Sequence, residues 1–429
     1  MSRSPLPVYH DPCGWNALLP PRAPRAPAQG EIRARYAVIG AGYTGLAAAR
    51  RLAELDSGAE IVVLEGSRVG EGSSARNSGF AAKFDSKAGL STQEAERADR
   101  LNHFTREGFA YLEQAMTEGG FSCDLEKTGR ILAAATELGE QKVRATLDGA
   151  RIHGVEATFL DRAAIEARIG SAYYRTGVRT EEGFLLQPAA LIRGLADALP
   201  ANVRLFEDSP ILAVDGEGPR VARTAQARVK ADVVIFAANS AIKTFGYWRD
   251  GLVTIYTYAG LTEALAEADL ARLGVPAWGV LPAHRLGSTL RRVGANRLMI
   301  RSLYAYEAPI PSPEAARALK ARLDRRYPHL AHARLEYVWG GVTALTMNGS
   351  PRWGRLGEGL YGSAGCNGAG IVKGTVLGKR LAEMIVTGDP QEALRAAYGS
   401  ADRIAPEPLR GIGFRVISAI ERRKAGAEM

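Results

Sequence analysis

The residues best suited to chemistry in this chain are glycines, and the chemistry is that of holding a phosphate. Gly40-Ala41-Gly42-Tyr43-Thr44-Gly45 reads GxGxxG, follows directly on the apolar run 36–39, and opens onto residues 46–55, a stretch of good helix formers without Pro or Gly. A second apolar run, 61–64, ends on Glu65. The order strand, glycine turn, helix, strand, acid is that of a βαβ unit that binds a dinucleotide. Gly40 permits the tight turn, Gly42 lets the backbone approach a pyrophosphate, and Gly45 lets helix and strand pack closely. Tyr43 and Thr44 lie in the turn, and the helix that follows offers phosphate its unpaired N–H groups and positive dipole end. Glu65, followed by Gly66, stands where a carboxylate accepts hydrogen bonds from a ribose. Isolated matches arise by chance in a chain with 48 glycines among 429 residues, so the weight rests on the order of the surrounding elements. FAD and NAD are both open at this point.

No other constellation competes. The six histidines (His10, His103, His153, His284, His329 and His332) are scattered, each reads as structural, and no Ser/His/Asp arrangement stands out. Cys13, Cys123 and Cys366 are odd in number and widely spaced, which indicates neither a disulfide framework nor a metal site and fits a reducing, cytoplasmic compartment. The formal charge of +9 is dispersed rather than gathered into a basic block with aromatics, so a nucleic-acid partner is not expected. No secretory signal is visible and no apolar run reaches spanning length, so no integral membrane segment is expected.

The length allows two domains. Residues 1–30 hold a Pro-rich stretch, 20–27, that reads as an extended arm over the domain or as a disordered tail. After Glu65, residues 66–80 form a loop of small, hydrogen-bonding residues, able to pack under a flat ligand and present donors from Ser74, Arg76, Asn77 and Ser78. The spacing of Leu101, Phe104, Phe109, Leu112 and Met116 predicts a helix from Ser91 to about Gly119. Residues 123–135 and 158–160 read as strands of another sheet, 189–199 as a helix, and 203–206 and 211–214 as strands. The run 231–239 reads as a buried strand ending in the small residues Ala237 and Ala238, as a nucleotide crevice requires. Residues 253–259 alternate, with Tyr256 and Tyr258 on one face. Strands at 288–292, 297–306 and 337–339 and a helix at 312–327 complete a second sheet region. Residues 409–423 mix apolar residues with arginines; packing on the nucleotide domain is the expectation, with an anionic membrane surface as the alternative.

A second glycine-rich turn, 359–370, again runs from a strand into a helix, 371–386. An NAD enzyme needs one such turn, whereas a flavin gains from a second helix N-terminus facing the N1/O2 edge of its ring. With this turn the chain resembles the D-amino-acid oxidase-like family of FAD-dependent amine oxidoreductases, which includes glycine and sarcosine oxidases. The resemblance rests on the βαβ unit ending on Glu65, on residues 72–79, on residues 339–349 and on residues 365–374. The wording of residues 42–46 and the Pro-rich arm look most like the gamma-glutamylputrescine oxidase branch.

The resemblance implies an α/β (α+β overall) architecture: a Rossmann-like FAD-binding domain with an interleaved antiparallel-sheet substrate domain. It implies FAD-binding stretches at 31–98, 158–245 and 339–390, substrate-domain stretches at 99–157 and 246–338, and a C-terminal extension at 391–429. Gly40, Gly42, Gly45, Glu65, Ser74, Arg76 and Asn77 are implied to contact FAD, together with Ile211, Ala238, Gly368, Gly370, Ile371 and Lys373. Gly341 stands where some members carry a linking cysteine, which implies non-covalent FAD. Thr346-Met347-Asn348 replaces a common Thr-Pro-Asp, and Cys366 is expected to be structural. The implied reaction passes hydride from an amine-bearing carbon to flavin N5, after which the imine hydrolyses; oxygen or a quinone takes the electrons. Tyr256, Tyr258, Arg292, Arg301, Tyr304 and Trp339 are candidate contacts to the small-molecule amine, with arginine suited to a substrate carboxylate. A glycine, sarcosine or D-amino-acid oxidase or dehydrogenase, an NAD(P)-dependent dehydrogenase, and a flavin-binding assembly protein without turnover are the alternatives.

Overall fold

A computed structural model describes residues 7, 9, 11–84, 92–216 and 218–429. Most of the N-terminal 10 residues, and Ser91 at the start of the expected helix, therefore lie outside the described residues. The glycine turn sits in a parallel sheet whose strands run, in spatial order, Val203–Phe206, Ile61–Leu64, Gly30–Ile39, Ala227–Phe236 and Leu360–Ala364. All four residues of Ile61–Leu64 are buried, which is why they read as an unbroken apolar run: helices or loops cover both faces. Strand Ala227–Phe236 is shared along its length. Its first half pairs antiparallel with Arg220–Arg223, and its second half pairs parallel with Leu360–Ala364.

The second sheet is mixed, in the order Leu335–Leu345, Val253–Thr262, Arg297–Tyr306, Thr289–Val293, Gly279–Pro282, Arg130–Ala134, Thr176–Thr180, Ala157–Leu160. One pairing, Gly279–Pro282 with Arg130–Ala134, is parallel and the others are antiparallel. The sheet crosses the boundaries that the sequence suggests. Strands Ala157–Leu160 and Thr176–Thr180, expected in the FAD-binding stretch 158–245, join the second sheet, as does all of Leu335–Leu345. Helix Thr92–Gly119 moves the other way. It packs on helix Gly370–Thr387 so closely that a Cβ at Gly108 would lie 2.7 Å from the Val372 carbonyl oxygen.

The described part of the arm is anchored. Trp15 is fully buried, its indole N–H donates to the Asn77 carbonyl at 2.8 Å, and its own carbonyl accepts from Gln187 at 2.7 Å. Arg22 bridges Asp197 and the buried Glu207, both in the parallel-sheet lobe. Helix Leu409–Ala425 departs from the expectation of apolar packing, because its large aliphatic side chains are exposed.

Candidate active site

The first turn is glycine by steric necessity. Gly40 has φ +105°, and a Cβ there would lie 2.7 Å from the Ala237 carbonyl oxygen; a Cβ at Gly45 would lie 1.9 Å from the Gly40 oxygen. Gly45 thus seats helix Tyr43–Leu55 against its strand and does not itself line the cavity. A Cβ at Gly42 would meet only the Ser74 hydroxyl, at 2.8 Å, so this position is an open cradle beside the helix N-terminus. Glu65 accepts from Ala41 N–H at 2.8 Å and Ser67 N–H at 3.2 Å. Burial pushes its carboxyl up, and those two N–H groups oppose the shift. In the following loop Ser74 accepts from Tyr43 N–H, and Asn77 ties the Ser74 carbonyl to Gly79 N–H. Arg76 is pinned by the carbonyls of Asp11, Glu71 and Gly340.

The second turn is held by a side chain. Asn367, at φ +56°, accepts from Thr346 N–H at 2.9 Å and donates to Gly349 and Gly365 carbonyls at 3.0 and 2.7 Å. Lys373 donates to the same Gly349 carbonyl at 3.1 Å, so its ammonium is engaged with the protein. Helix Gly370–Thr387 then crosses helix Tyr43–Leu55 at Thr44. A Cβ at Gly378 would lie 2.1 Å from the Thr44 carbonyl oxygen, and one at Gly374 would lie 3.0 Å from its hydroxyl. The two small residues let the helices touch, which fixes the distance between the two N-termini.

Both turns open on one cavity of about 2110 Å³, several times the volume a drug-sized ligand needs. Gly40, Gly42, Tyr43, Thr44, Glu65, Gly66, Ser74, Arg76, Asn77, Ser78, Ile211, Ala238, Gly368, Gly370, Ile371 and Lys373 all line it. The glycine cradle, the two converging helix N-termini and the half-buried acid at the end of the second strand fit a single extended dinucleotide that carries a ring at its far end.

The second sheet closes the cavity through one face. Val253, Ile255 and Thr257 line it, with Arg301, Tyr304, Gly341 and Thr343 from neighbouring strands. Arg301 and Tyr304 are three residues apart and in a regular strand would point oppositely. A β-bulge corrects this: Tyr258 pairs with Ser302 and Thr257 with Tyr304, which leaves Leu303 unpaired at φ +65°. The left-handed leucine costs about 1–3 kcal/mol and brings Arg301 Nη1 to 2.9 Å from the Tyr304 hydroxyl.

Four expected substrate contacts fall elsewhere. Tyr256 and Tyr258 point to the opposite face, into a core with Ala315, Leu319 and Leu323 of helix Ser312–Arg326. Alternation puts the two tyrosines on one face but does not say which face the helix covers. Trp339 is fully buried, edge-on to Trp15, and donates to the Arg76 carbonyl at 3.3 Å. Arg292 donates to Val275 and Ala295 carbonyls outside the cavity. In their place the wall includes Glu314, Arg322 and Tyr9. Tyr9 comes from the arm, lies 4.1 Å above the Arg76 guanidinium and hydrogen-bonds Ser73 at 3.0 Å. Burial pushes its phenol up to about 12, so it is neutral at physiological pH. Neither periodicity nor a motif marks an arm residue as a cavity wall.

Comparison with known proteins agrees with this geometry. Residues 35–384 match the model of the FAD dependent oxidoreductase family, DAO. The gamma-glutamylputrescine oxidoreductase of Escherichia coli K12 is 29% identical over 365 residues, which is 81% of this chain and 82% of that protein. A probable oxidoreductase, OrdL, of Haemophilus influenzae is 25% identical over 90% of this chain and 91% of its own length. In three dimensions the chain is similar to glycine oxidase from Geobacillus kaustophilus, with a TM-score of 0.71 at 18% identity, covering 83% of this chain and 95% of that one. That likeness bears on fold. The family match spans both glycine turns, the sheet face between them and the helix contact at Thr44, and on it the chain belongs to the FAD-dependent oxidoreductase family.

Proposed function

We propose that this protein oxidises the carbon–nitrogen bond of a small amine that also carries a carboxylate, using non-covalently bound FAD, with oxygen or a quinone taking the electrons. The observation that carries the reading is Arg301. Its guanidinium lines the cavity, and among the described residues it makes no salt bridge, its hydrogen-bond partner being the Tyr304 hydroxyl that the bulge brings to the same face. A half-buried cation without a counter-charge is costly and favours an anionic ligand.

When bound, FAD supplies the two-electron acceptor. Arg301 holds the substrate carboxylate, and Tyr304 fixes the guanidinium in place, itself tied to the Arg285 carbonyl at 2.7 Å. The apolar Val253 and Ile255 exclude water while the amine-bearing carbon is oriented. Loss of hydride from that carbon leaves an imine, which water converts to a carbonyl compound plus ammonia or an amine. The name of the Escherichia coli relative supports an amine as substrate, and a gamma-glutamyl-type amine meets the carboxylate requirement. Non-covalent attachment is supported at Gly341, which offers no thiol for a linkage and where a Cβ would sit tightly, 3.2 Å from Arg76. A cytoplasmic location fits the three unpaired cysteines.

The test is anaerobic mixing of the yellow protein with amines that do and do not carry a carboxylate, followed as flavin bleaching. Arg301→Met should weaken the carboxylated amine by about 2–5 kcal/mol and leave the simple amine unchanged. Equal loss for both, or for neither, contradicts the assignment.

A further inference from the structure

We propose that helix Leu409–Ala425 docks on an anionic lipid surface and holds the cavity mouth against it. A surface helix ordinarily turns its apolar stripe to the core. This one is inverted. Leu409, Ile412, Val416 and Ile420 follow one another at helical spacing with Ile417 at the edge, and each is 49–62% exposed. Among the described residues, five of the eleven exposed large apolar side chains lie on this one helix, so they form a stripe rather than a scatter.

The inward face carries what would normally point to water. Glu421, the helix's single acid, is 17% exposed and bonds Arg285 at 3.0 Å, with His284 at 3.4 Å. Phe414 stacks on Tyr306, centroids 4.6 Å apart, and Gly411 and Ala425 are buried. The outward face is left with aliphatics and with exposed Arg423 at its end; Lys424 beside it reaches back to Glu421 at 3.5 Å, and Arg403, 88% exposed just before the helix, pairs with Asp250 at 3.5 Å.

Charge selects the occupant. A second copy laid on this stripe would bring no further acid to exposed Arg415, Arg422 and Arg423, since the helix's one acid, Glu421, is already held by Arg285 and Lys424. An anionic bilayer supplies both an apolar phase and counter-charge, the pairing an interfacial helix uses. Among the described residues no helix is long and apolar enough to cross a membrane, so the contact is peripheral. Leu409 and Ile417 of the stripe line the cavity mouth together with Phe414, Ser418 and Glu421, while Ile412, Val416 and Ile420 do not, so docking of those three sets the opening beside the lipid.

The experiment is co-sedimentation of the full-length, FAD-loaded chain with phosphatidylcholine vesicles, with and without phosphatidylglycerol, at low salt. Binding should require the anionic lipid. Val416→Glu with Ile420→Glu, neither of which lines the cavity, should reduce it at least tenfold, and Arg423→Glu with Lys424→Glu by about fivefold for each cation removed. Flavin content reports that each variant is folded; Val416→Ser with Ile420→Ser replaces the acidic pair if it is not, with the same expected direction. Absence of binding to anionic vesicles, or equal binding by the variants, overturns the proposal. So does a dimer, seen by light scattering, that the stripe variants disperse while vesicles bind nothing.

Discussion

At the first turn, residues 40–45, glycine is demanded by the backbone: any side chain at Gly40 or Gly45 would run into a main-chain carbonyl. At the second, residues 365–370, glycine answers to conformation more than to backbone contact: Gly365 and Gly368 have φ +76° and +84°, and a Cβ at Gly365 would lie 2.8 Å from a side-chain methyl, Thr346 Cγ2. Nothing lies within 4 Å of a Cβ at Gly368, and at Gly370 the nearest neighbour is the Cys366 sulfur at 3.5 Å, an ordinary contact. What shapes this turn is Asn367, through hydrogen bonds to three backbone groups. Close packing of strand against helix leaves a spaced glycine signature, whereas a side-chain clamp leaves a single asparagine that could serve many purposes. Both solutions present a helix N-terminus to the same cavity, and the crossing at Thr44 makes them one site.

The largest effect should come from breaking the first turn. Gly45→Val forces strand and helix apart at a contact that cannot relax through a side chain; we expect about 3 kcal/mol or more of destabilisation by chemical denaturation. Stability within 1 kcal/mol of wild type would mean that the turn is not packed as described. The clamp at the second turn should matter less. Asn367→Ala leaves the Thr346 N–H and the Gly365 carbonyl without this partner and the Gly349 carbonyl with Lys373 alone, costing about 1–3 kcal/mol together with FAD affinity. An unchanged melting temperature would show that the turn holds itself.

The smallest effect concerns Glu65. Because burial raises its carboxyl in the folded state, its contribution to stability is present at pH values below the ordinary carboxylate range and is lost as pH rises through the raised value. In FAD-free protein, melting of Glu65→Gln relative to wild type should therefore improve between about pH 4 and pH 7. A constant difference over that window would mean that the acid is not perturbed.

Much of the nucleotide side was legible because each feature is local: a strand, a turn, a helix start and an acid within about thirty residues. The substrate side depends on contacts between distant segments. The face of Val253–Thr262 that meets the cavity is chosen by helix Ser312–Arg326 on the other side, and Tyr304 is brought beside Arg301 by a bulge that no periodicity announces. Arg292 and Trp339 have residue types suited to a site but spend them on backbone carbonyls. The same limit explains the lobe boundaries. Strand propensity at 157–160 and 176–180 is local, while the sheet those strands join is not.

The claim that the two turns form one FAD site is tested most directly by FAD released per chain on acid precipitation of wild type, Gly42→Val and Gly378→Val, with circular dichroism confirming the fold. Gly42→Val fills the cradle and meets only a serine hydroxyl, while Gly378→Val lies far along the other helix and acts by pushing the helices apart at Thr44. The account predicts free yellow supernatant from wild type and folded, colourless protein from both variants. Full FAD content in folded Gly378→Val, or colour retained in the wild-type pellet, would contradict it.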